Sequence, residues 1–336
     1  MHILILGGTT PGLRAAAAFR SQGHRVTLAV SSSFLGEDLC GTSRFLPAMG
    51  QEAGLTLINK TLAELGAPEL EGPLLWGKAK KALVRAAMAQ SVAILYMTRL
   101  AGVELADGRV CAAHLAGKQG LTRIPCDALV DATLYAEPTR QLAGQPGRVQ
   151  RGAAIGTYLE YRGLPGAAAH ARLPFGEWMA GCVAEDHAYL RVSLTAPHDL
   201  SIPEARRLVT LRSLETAQAF HAAFPEARLQ QVLDPFADLT LSAPPAAGVD
   251  GFYRADALIP AQLLSLDSAP ERGELRLLSR PQAAQDAQLL VAGGGTAGVW
   301  AAVSAAREGM HVCMVEMFSQ LGGTRTLGGI FPLYGG

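Results

Sequence analysis

The sequence predicts an α/β chain whose parallel strands are linked by glycine turns, and three observations point there. Only 17% of the 336 residues are charged and 37 are glycine. Averages are about 25% charged and about 7% glycine, and the bias suits strands buried on both faces and joined by tight turns. One stretch of the chain also recurs. Residues 4–36 align without a gap on residues 290–322, and twelve of the thirty-three positions are identical. Both copies run strand, glycine turn, helix, strand, the order of a βαβ unit. At roughly 150 residues per domain, the length accommodates about two domains.

The chain opens on Met1-His-Ile-Leu-Ile-Leu-Gly-Gly, an apolar run into glycines with neither a basic leader nor a small-residue cleavage site, which predicts a strand rather than a secretion signal. Residues 1–30 make the first βαβ, turning at Gly7-Gly8-Thr9-Thr10-Pro11-Gly12. A helical run over Lys78–Gln90 leads to a strand at Val92–Tyr96. Asp107-Gly108 between two apolar runs predicts a two-residue hairpin turn, and Ala128–Asp131 predicts a further strand. Past residue 150 the chain reads α+β, as a cap or substrate region over 151–280 would, with strands at Arg151–Tyr161 and Tyr189–Leu194. Ser201-Ile-Pro203-Glu204 is a capping box with proline in the first turn, opening a helix that stops at Pro225. A glutamine-rich link, Pro281–Gln288, joins this region to the second copy over 286–336.

The second copy has the parts needed to hold a dinucleotide. Leu289-Leu-Val-Ala enters Gly293-Gly-Gly295-Thr296-Ala297-Gly298, a helix follows to Gly309, and a second apolar strand ends at Glu316, 23 residues after the first glycine. In such a unit Gly293 permits the tight turn, Gly295 lets backbone N–H groups approach a pyrophosphate, and Gly298 lets helix and strand pack closely. The helix N-terminus offers unpaired donors to phosphates, and Glu316 is placed to accept from ribose hydroxyls. Thr296, Ala297 and Met317 flank these positions. The first copy keeps the shape and loses the chemistry. Thr9 stands where Gly295 does, with its side chain where a pyrophosphate must approach, and Val30 stands where Glu316 does. Ser31 or Ser32 would be the alternative ribose contact of a degenerate site.

The second copy and its sequel, Gln320-Leu-Gly322-Gly323-Thr324-Arg-Thr-Leu-Gly328-Gly329, resemble the start of FAD-dependent oxidoreductases of the glutathione-reductase-like flavoprotein superfamily. The resemblance implies a tandem Rossmann-like FAD/NAD(P)-binding fold. It also implies that Gly293, Gly295, Gly298, Glu316, Gly322, Gly323 and Thr324 hold the ADP and pyrophosphate of FAD. The first 150 residues resemble the same family in weakened form. Asp131-Ala-Thr133-Leu134-Tyr135 is similar to the family's Asp-Ala-Thr-Gly-Asp strand end, with Leu134 and Tyr135 in place of the glycine and acid beside FAD. The resemblance implies one chain of a flavin-dependent oxidoreductase that acts on a small molecule, with a pseudo-FAD domain first and an intact FAD corner last. Further strands should follow Glu316, so residues 286–336 are expected to be completed by a second polypeptide or by the remainder of a cleaved precursor. A non-catalytic structural subunit and an NAD(P)-dependent enzyme are the competing readings. The Leu321-Gly-Gly-Thr sequel favours FAD over a nicotinamide.

Other chemistry finds little support in the residues. Lys+Arg and Asp+Glu balance at 29 each, so no net field favours nucleic acid or an anionic membrane. No stretch is long and apolar enough for a membrane span. The five cysteines, 40, 111, 126, 182 and 313, are scattered without metal-ligand spacing, which predicts no metal site and a reducing, cytoplasmic setting. There is neither a G-x-x-x-x-G-K-[ST] phosphate loop nor a G-x-S-x-G elbow. His170, His187 and His198 lie near Glu185, Asp186 and Asp199 in the chain and fit no ligand template, so a solvated loop is expected there. Lys78, Lys80, Lys81 and Arg85 make a basic helical face expected to be solvated. No residue is identifiable as a catalytic acid, base or nucleophile.

Overall fold

The computed structural model describes residues 1–41, 50–72, 76–145, 147–163, 176–180, 187–232, 241, 248–255, 269–278, 286–316 and 321–323. They belong to two units, Met1–Ser279 and Arg280–Gly336. The first unit begins β1 (His2–Leu6), α1 (Thr10–Ser21), β2 (Arg25–Val30), a π-helical turn at Glu37–Gly41, α2 (Gly50–Glu64), α3 (Trp76–Ala89) and β3 (Ala93–Tyr96). It continues with β4 (Arg99–Ala106), β5 (Arg109–Gly117), β6 (Gly120–Pro125), β7 (Ala128–Asp131) and α4 (Glu137–Leu142). Next come β8 (Arg148–Val149), β9 (Ala154–Arg162), β10 (Gly176–Ala180), β11 (His187–Thr195), β12 (Leu200–Ser201), α5 (Ile202–Ala223), β13 (Arg228–Val232), β14 (Phe252–Arg254) and β15 (Glu274–Leu277).

The heart of this unit is a parallel sheet in the order β14-β7-β1-β2-β3. Its strands are apolar on both faces, and side chains alternate between two cores with the period of two that a strand imposes. Ile3, Ile5, Val26, Leu28, Val30 and Val130 pack with Leu13, Phe19, Leu62 and Leu83 of the helices. Leu4, Leu6, Ala29 and Leu129 pack on the other side with Val103, Val110, Ala113 and Leu115 of an antiparallel sheet, β15-β4-β5-β6. The β4–β5 hairpin turns at Asp107 and Gly108 with φ of 51° and 81°, the doubly left-handed turn that an Asp-Gly pair favours.

A second antiparallel sheet, β10-β11-β9-β13, is backed by α5, where the Tyr161 and Phe220 rings stand 4.4 Å apart. Ser201 caps α5 reciprocally with Glu204, as the capping box predicts. Two strands from beyond this region return to the first 150 residues. β14 pairs with β7 at one edge of the parallel sheet, and β15 pairs with β4. Among the described residues no helix is long and apolar enough to cross a membrane.

The second unit holds β16 (Leu289–Ala292), α6 (Thr296–Arg307) and β17 (Val312–Val315), with β16 and β17 paired in parallel as a two-stranded sheet. It repeats β1, α1 and β2 closely. Gly7 and Gly293 have φ of 100° and 98°, and the helix-ending Gly23 and Gly309 have 80° and 83°. These left-handed values explain why glycine recurs at both positions.

Candidate functional site

The glycine turn of the second unit gathers most of the residues singled out in the sequence. Gly293 donates its N–H to the Val315 carbonyl at 2.8 Å, tying the turn to the end of β17. The Gly294 N–H is held by the Glu316 carboxylate, which fixes that acid beside the turn. A Cβ at Gly298 would collide with the Gly293 carbonyl, so only glycine allows this helix to start so close to its strand. Gly322 returns to the turn, donating its N–H to the Gly294 carbonyl at 2.8 Å and pairing with Gly295 in an isolated parallel bridge, while Thr296 Oγ1 donates to the Gly322 carbonyl. Gly323 has φ of 55°, and a Cβ there would come within 3.1 Å of the Gly295 Cα.

Gly295, half-buried, is the mouth of this arrangement. It is the N-cap of α6 and provides no side-chain cap, so no side chain of the cap residue takes up the first-turn N–H groups. A Cβ built on Gly295 meets nothing within 4 Å, so space remains beside the backbone for a ligand. Ala297 lies exposed in the first turn of the helix. Met317 and Thr324 lie outside the described residues.

The first unit has the same frame with a different filling. Gly36 donates its N–H to the Gly8 carbonyl at 2.6 Å, the counterpart of the bond from Gly322 to Gly294. Thr9, in the place of Gly295, points its hydroxyl inward, donating to the Ala132 carbonyl at 2.6 Å and accepting from the Gly12 N–H as the cap of α1. Two carboxylates complete the filling. Glu37 accepts from the Gly8 N–H at 2.9 Å, from the Ser31 hydroxyl at 2.9 Å and from the Ser32 N–H at 3.0 Å. Asp38 accepts from the Thr10 N–H at 2.9 Å and from the Thr10 hydroxyl at 2.6 Å. Burial raises the Asp38 carboxyl above its usual range, against the lowering effect of the Thr10 bonds. Ser31 and Ser32, the alternative ribose contacts, are thus both engaged by Glu37. Neither acid stands out in the sequence by itself. The signal was one step past the aligned stretch, where Leu35-Gly36-Glu37-Asp38 faces Leu321-Gly322-Gly323-Thr324.

At the end of β7, the Asp131 carboxylate accepts the N–H and hydroxyl of both Thr133 and Thr139, anchoring α4. Leu134 is exposed just beyond, and the Tyr135 carbonyl accepts from Arg140 Nε at 2.9 Å. On the basic face of α3, Lys78, Lys81 and Arg85 are exposed as expected, and Lys80 alone is half-buried. Lys80 places its ammonium 3.8 Å from the centre of the Phe34 ring, and burial lowers its pKa. In the antiparallel sheet Glu104 receives both Nε and Nη2 of Arg123 at 2.7 Å and His114 Nε2 at 2.6 Å. The bonds from Arg123, then those from His114, hold its carboxyl down at about 2 despite burial. His198 is exposed, Asp199 accepts the Arg151 N–H, and His170, Glu185 and Asp186 lie outside the described residues. Among the described residues no group of three or more His, Cys, Asp or Glu is placed to hold a metal.

Residues 288–336 match the family model of FAD dependent oxidoreductases. No curated protein matches the chain. Among solved structures the chain is similar to CabE, an aromatic hydroxylase from angucycline biosynthesis, at 14% identity over 75% of this chain and 55% of that one, with a TM-score of 0.45. It is similar also to the myxobacterial chondrochloren halogenase CndH, at 13% identity over 75% of this chain and 67% of that one, with a TM-score of 0.42. A geranylgeranyl bacteriochlorophyll reductase-like protein from Thermoplasma acidophilum gives 13% identity, 75% and 70% coverage and a TM-score of 0.46. The chain thus spans about half the length of the hydroxylase.

Proposed function

We propose that this chain is part of a FAD-dependent oxidoreductase and that its second unit binds the ADP and pyrophosphate portion of the flavin nucleotide. The observation that carries the reading is the open, uncapped turn at Gly295, with Glu316 fixed on one side and Gly322 and Gly323 on the other. The family-model match over the same residues supports it. In this arrangement the N–H groups of Thr296, Ala297 and Gly298 at the start of α6 would hold the pyrophosphate, whose charge the helix dipole would favour. Gly295 leaves the backbone bare for close approach. Glu316, oriented by the Gly294 N–H, accepts from ribose hydroxyls. Gly322 and Gly323 would hold the pyrophosphate side of the turn, and the family resemblance adds Thr324 and Met317 as further contacts. FAD supplies the redox chemistry through its isoalloxazine, and the protein supplies position and electrostatics.

The second unit needs a covering polypeptide, either a separate chain or a cleaved fragment. Positions buried in the first copy are bare in the second. Leu4 is 0% exposed and its counterpart Leu290 is 64%; Ala29 is 3% and Val315 is 58%; Ala17 is 8% and Val303 is 38%. In the first copy those positions are covered by helices, by flanking strands and by the antiparallel sheet. Among the described residues β16 and β17 pair only with each other, and a two-stranded sheet is marginal by itself.

The test is the visible spectrum of the natively purified protein together with its intact mass and denaturing gel. Flavin bands and a second polypeptide are expected. A colourless preparation refutes the cofactor, and a single yellow species of 35.2 kDa refutes the covering chain. Loss of the bands in Gly295→Val and Glu316→Ala places the cofactor on this turn.

A further inference from the structure

The two glycine turns share one frame, so the residues by which they differ report what each turn holds. At the 286-residue offset three replacements face the same spot: Thr9 for Gly295, Glu37 for Gly323 and Asp38 for Thr324. In the first unit all three side chains point into the turn. The Glu37 carboxylate lies on the N–H of the second glycine, Gly8, which is where Glu316 lies on Gly294 in the second unit, although Glu37 is seven residues past the position aligned with Glu316. The Asp38 carboxylate lies on the N–H of Thr10, the first residue of α1. Asp38 on Thr10 and the Thr9 hydroxyl on Gly12 thus occupy the first-turn donors that a pyrophosphate takes at a helix N-terminus, while Glu37 holds on Gly8 the place that Glu316 holds on Gly294. The two acids are built in: Glu37 and Leu35 are buried at 8% and 0% exposure, and the Gly36–Gly8 backbone bond clamps their turn onto the glycines.

We propose that Asp38 is an internal substitute for the pyrophosphate, set in place by its neighbour Glu37 on Gly8, so that the first unit is a nucleotide fold whose anion is supplied by its own chain. In sequence the lost site is marked by Thr9 in the path of a pyrophosphate and by Val30 in place of the acid. The structure adds a positive device: the cradle is filled, its donors are satisfied and its positive end is neutralised. The inference stands on the first unit alone, and its test is separable from the cofactor reading of the second.

Inorganic pyrophosphate is the probe, titrated into the full chain carrying Gly295→Val, which closes the second cradle. The readouts are calorimetric binding and the rise in unfolding temperature with ligand concentration. Three chains are compared in that background: no further change, Thr9→Gly, and Thr9→Gly/Glu37→Gly/Asp38→Thr, which restores the second copy's residues. The first two are expected not to bind. The third is expected to gain pyrophosphate binding by more than about tenfold. If the third chain does not fold, Thr9→Gly/Asp38→Thr, which clears the Thr10 donor and leaves the Glu37 bonds in place, takes its place with the same expectation. Binding by the unmodified first cradle, equal binding after Thr9→Gly alone, or no gain on removing the carboxylates each overturns the proposal. Failure of flavin to bind the second unit leaves these outcomes unchanged.

Discussion

Glu37 accepts the Gly8 N–H at 2.9 Å while its other oxygen accepts from Ser31 and Ser32, so one buried side chain ties the glycine turn to the end of β2. Replacing it leaves the buried Gly8 amide without its partner and frees the two serine donors. Glu37→Ala is expected to cost about 2–4 kcal/mol, since each orphaned buried polar group costs about 1–3 kcal/mol. Urea unfolding followed by circular dichroism checks this, and a change below about 0.5 kcal/mol, the range of a neutral surface substitution, would contradict the contact's role.

Acid sensitivity should trace to Glu104. Its folded-state carboxyl is held at about 2 by Arg123 and His114, below the ordinary 4.5. The native state therefore binds fewer protons than the unfolded one. The stabilisation is present above 4.5 and is lost as pH falls from there through 2. At most about 3 kcal/mol is at stake, at 1.36 kcal/mol per unit. Glu104→Gln is expected to be less stable than the parent at pH 7, with the gap closing by pH 2. A gap that stays constant with pH would rule out the ion pairs as its source.

The paired leucines of the repeat give a third comparison. Leu4 is fully buried, and Leu4→Ala is expected to cost about 2–5 kcal/mol of unfolding free energy. Leu290 is 64% exposed, and Leu290→Ala is expected to change the stability of the isolated chain by less than about 0.5 kcal/mol. The same Leu290 substitution should weaken capture of the proposed covering polypeptide in a native pull-down. Equal costs at both leucines would show that the second copy is already covered.

Asp131 anchors α4 through four bonds to Thr133 and Thr139. Asp131→Ala should destabilise the first unit by about 3 kcal/mol, given about 1.5–3 kcal/mol for a hydrogen bond to a charged group and partial rescue by water. Flavin absorbance, if carried by the second unit alone, should be unaffected in the folded protein. Parallel loss of flavin in folded Asp131→Ala would place the cofactor elsewhere.

Local rules read much of this chain correctly because local chemistry decides those features. Asp107-Gly108 makes its turn through two left-handed residues, and Ser201 and Glu204 cap each other across three positions. The glycines at 7, 12, 293 and 298 follow from backbone conformation or close approach. The illegible parts are those where position in space departs from position in the chain. Glu37 does for Gly8 what Glu316 does for Gly294, from seven residues further along, because a tight turn at Gly36 folds it back. β14 has three residues and too little alternation to announce a strand, and its place beside β7 is fixed by pairing across 123 residues, Phe252 with Leu129.

That last pairing sets an order of events during synthesis. The edge beside Leu129 stays open until residue 254 has left the ribosome, and the β4 edge waits for residue 277. Most of the first unit must be translated before β7 and β4 are sealed on both sides, so a chain released near residue 150 would carry two sticky borders and no means of closing them.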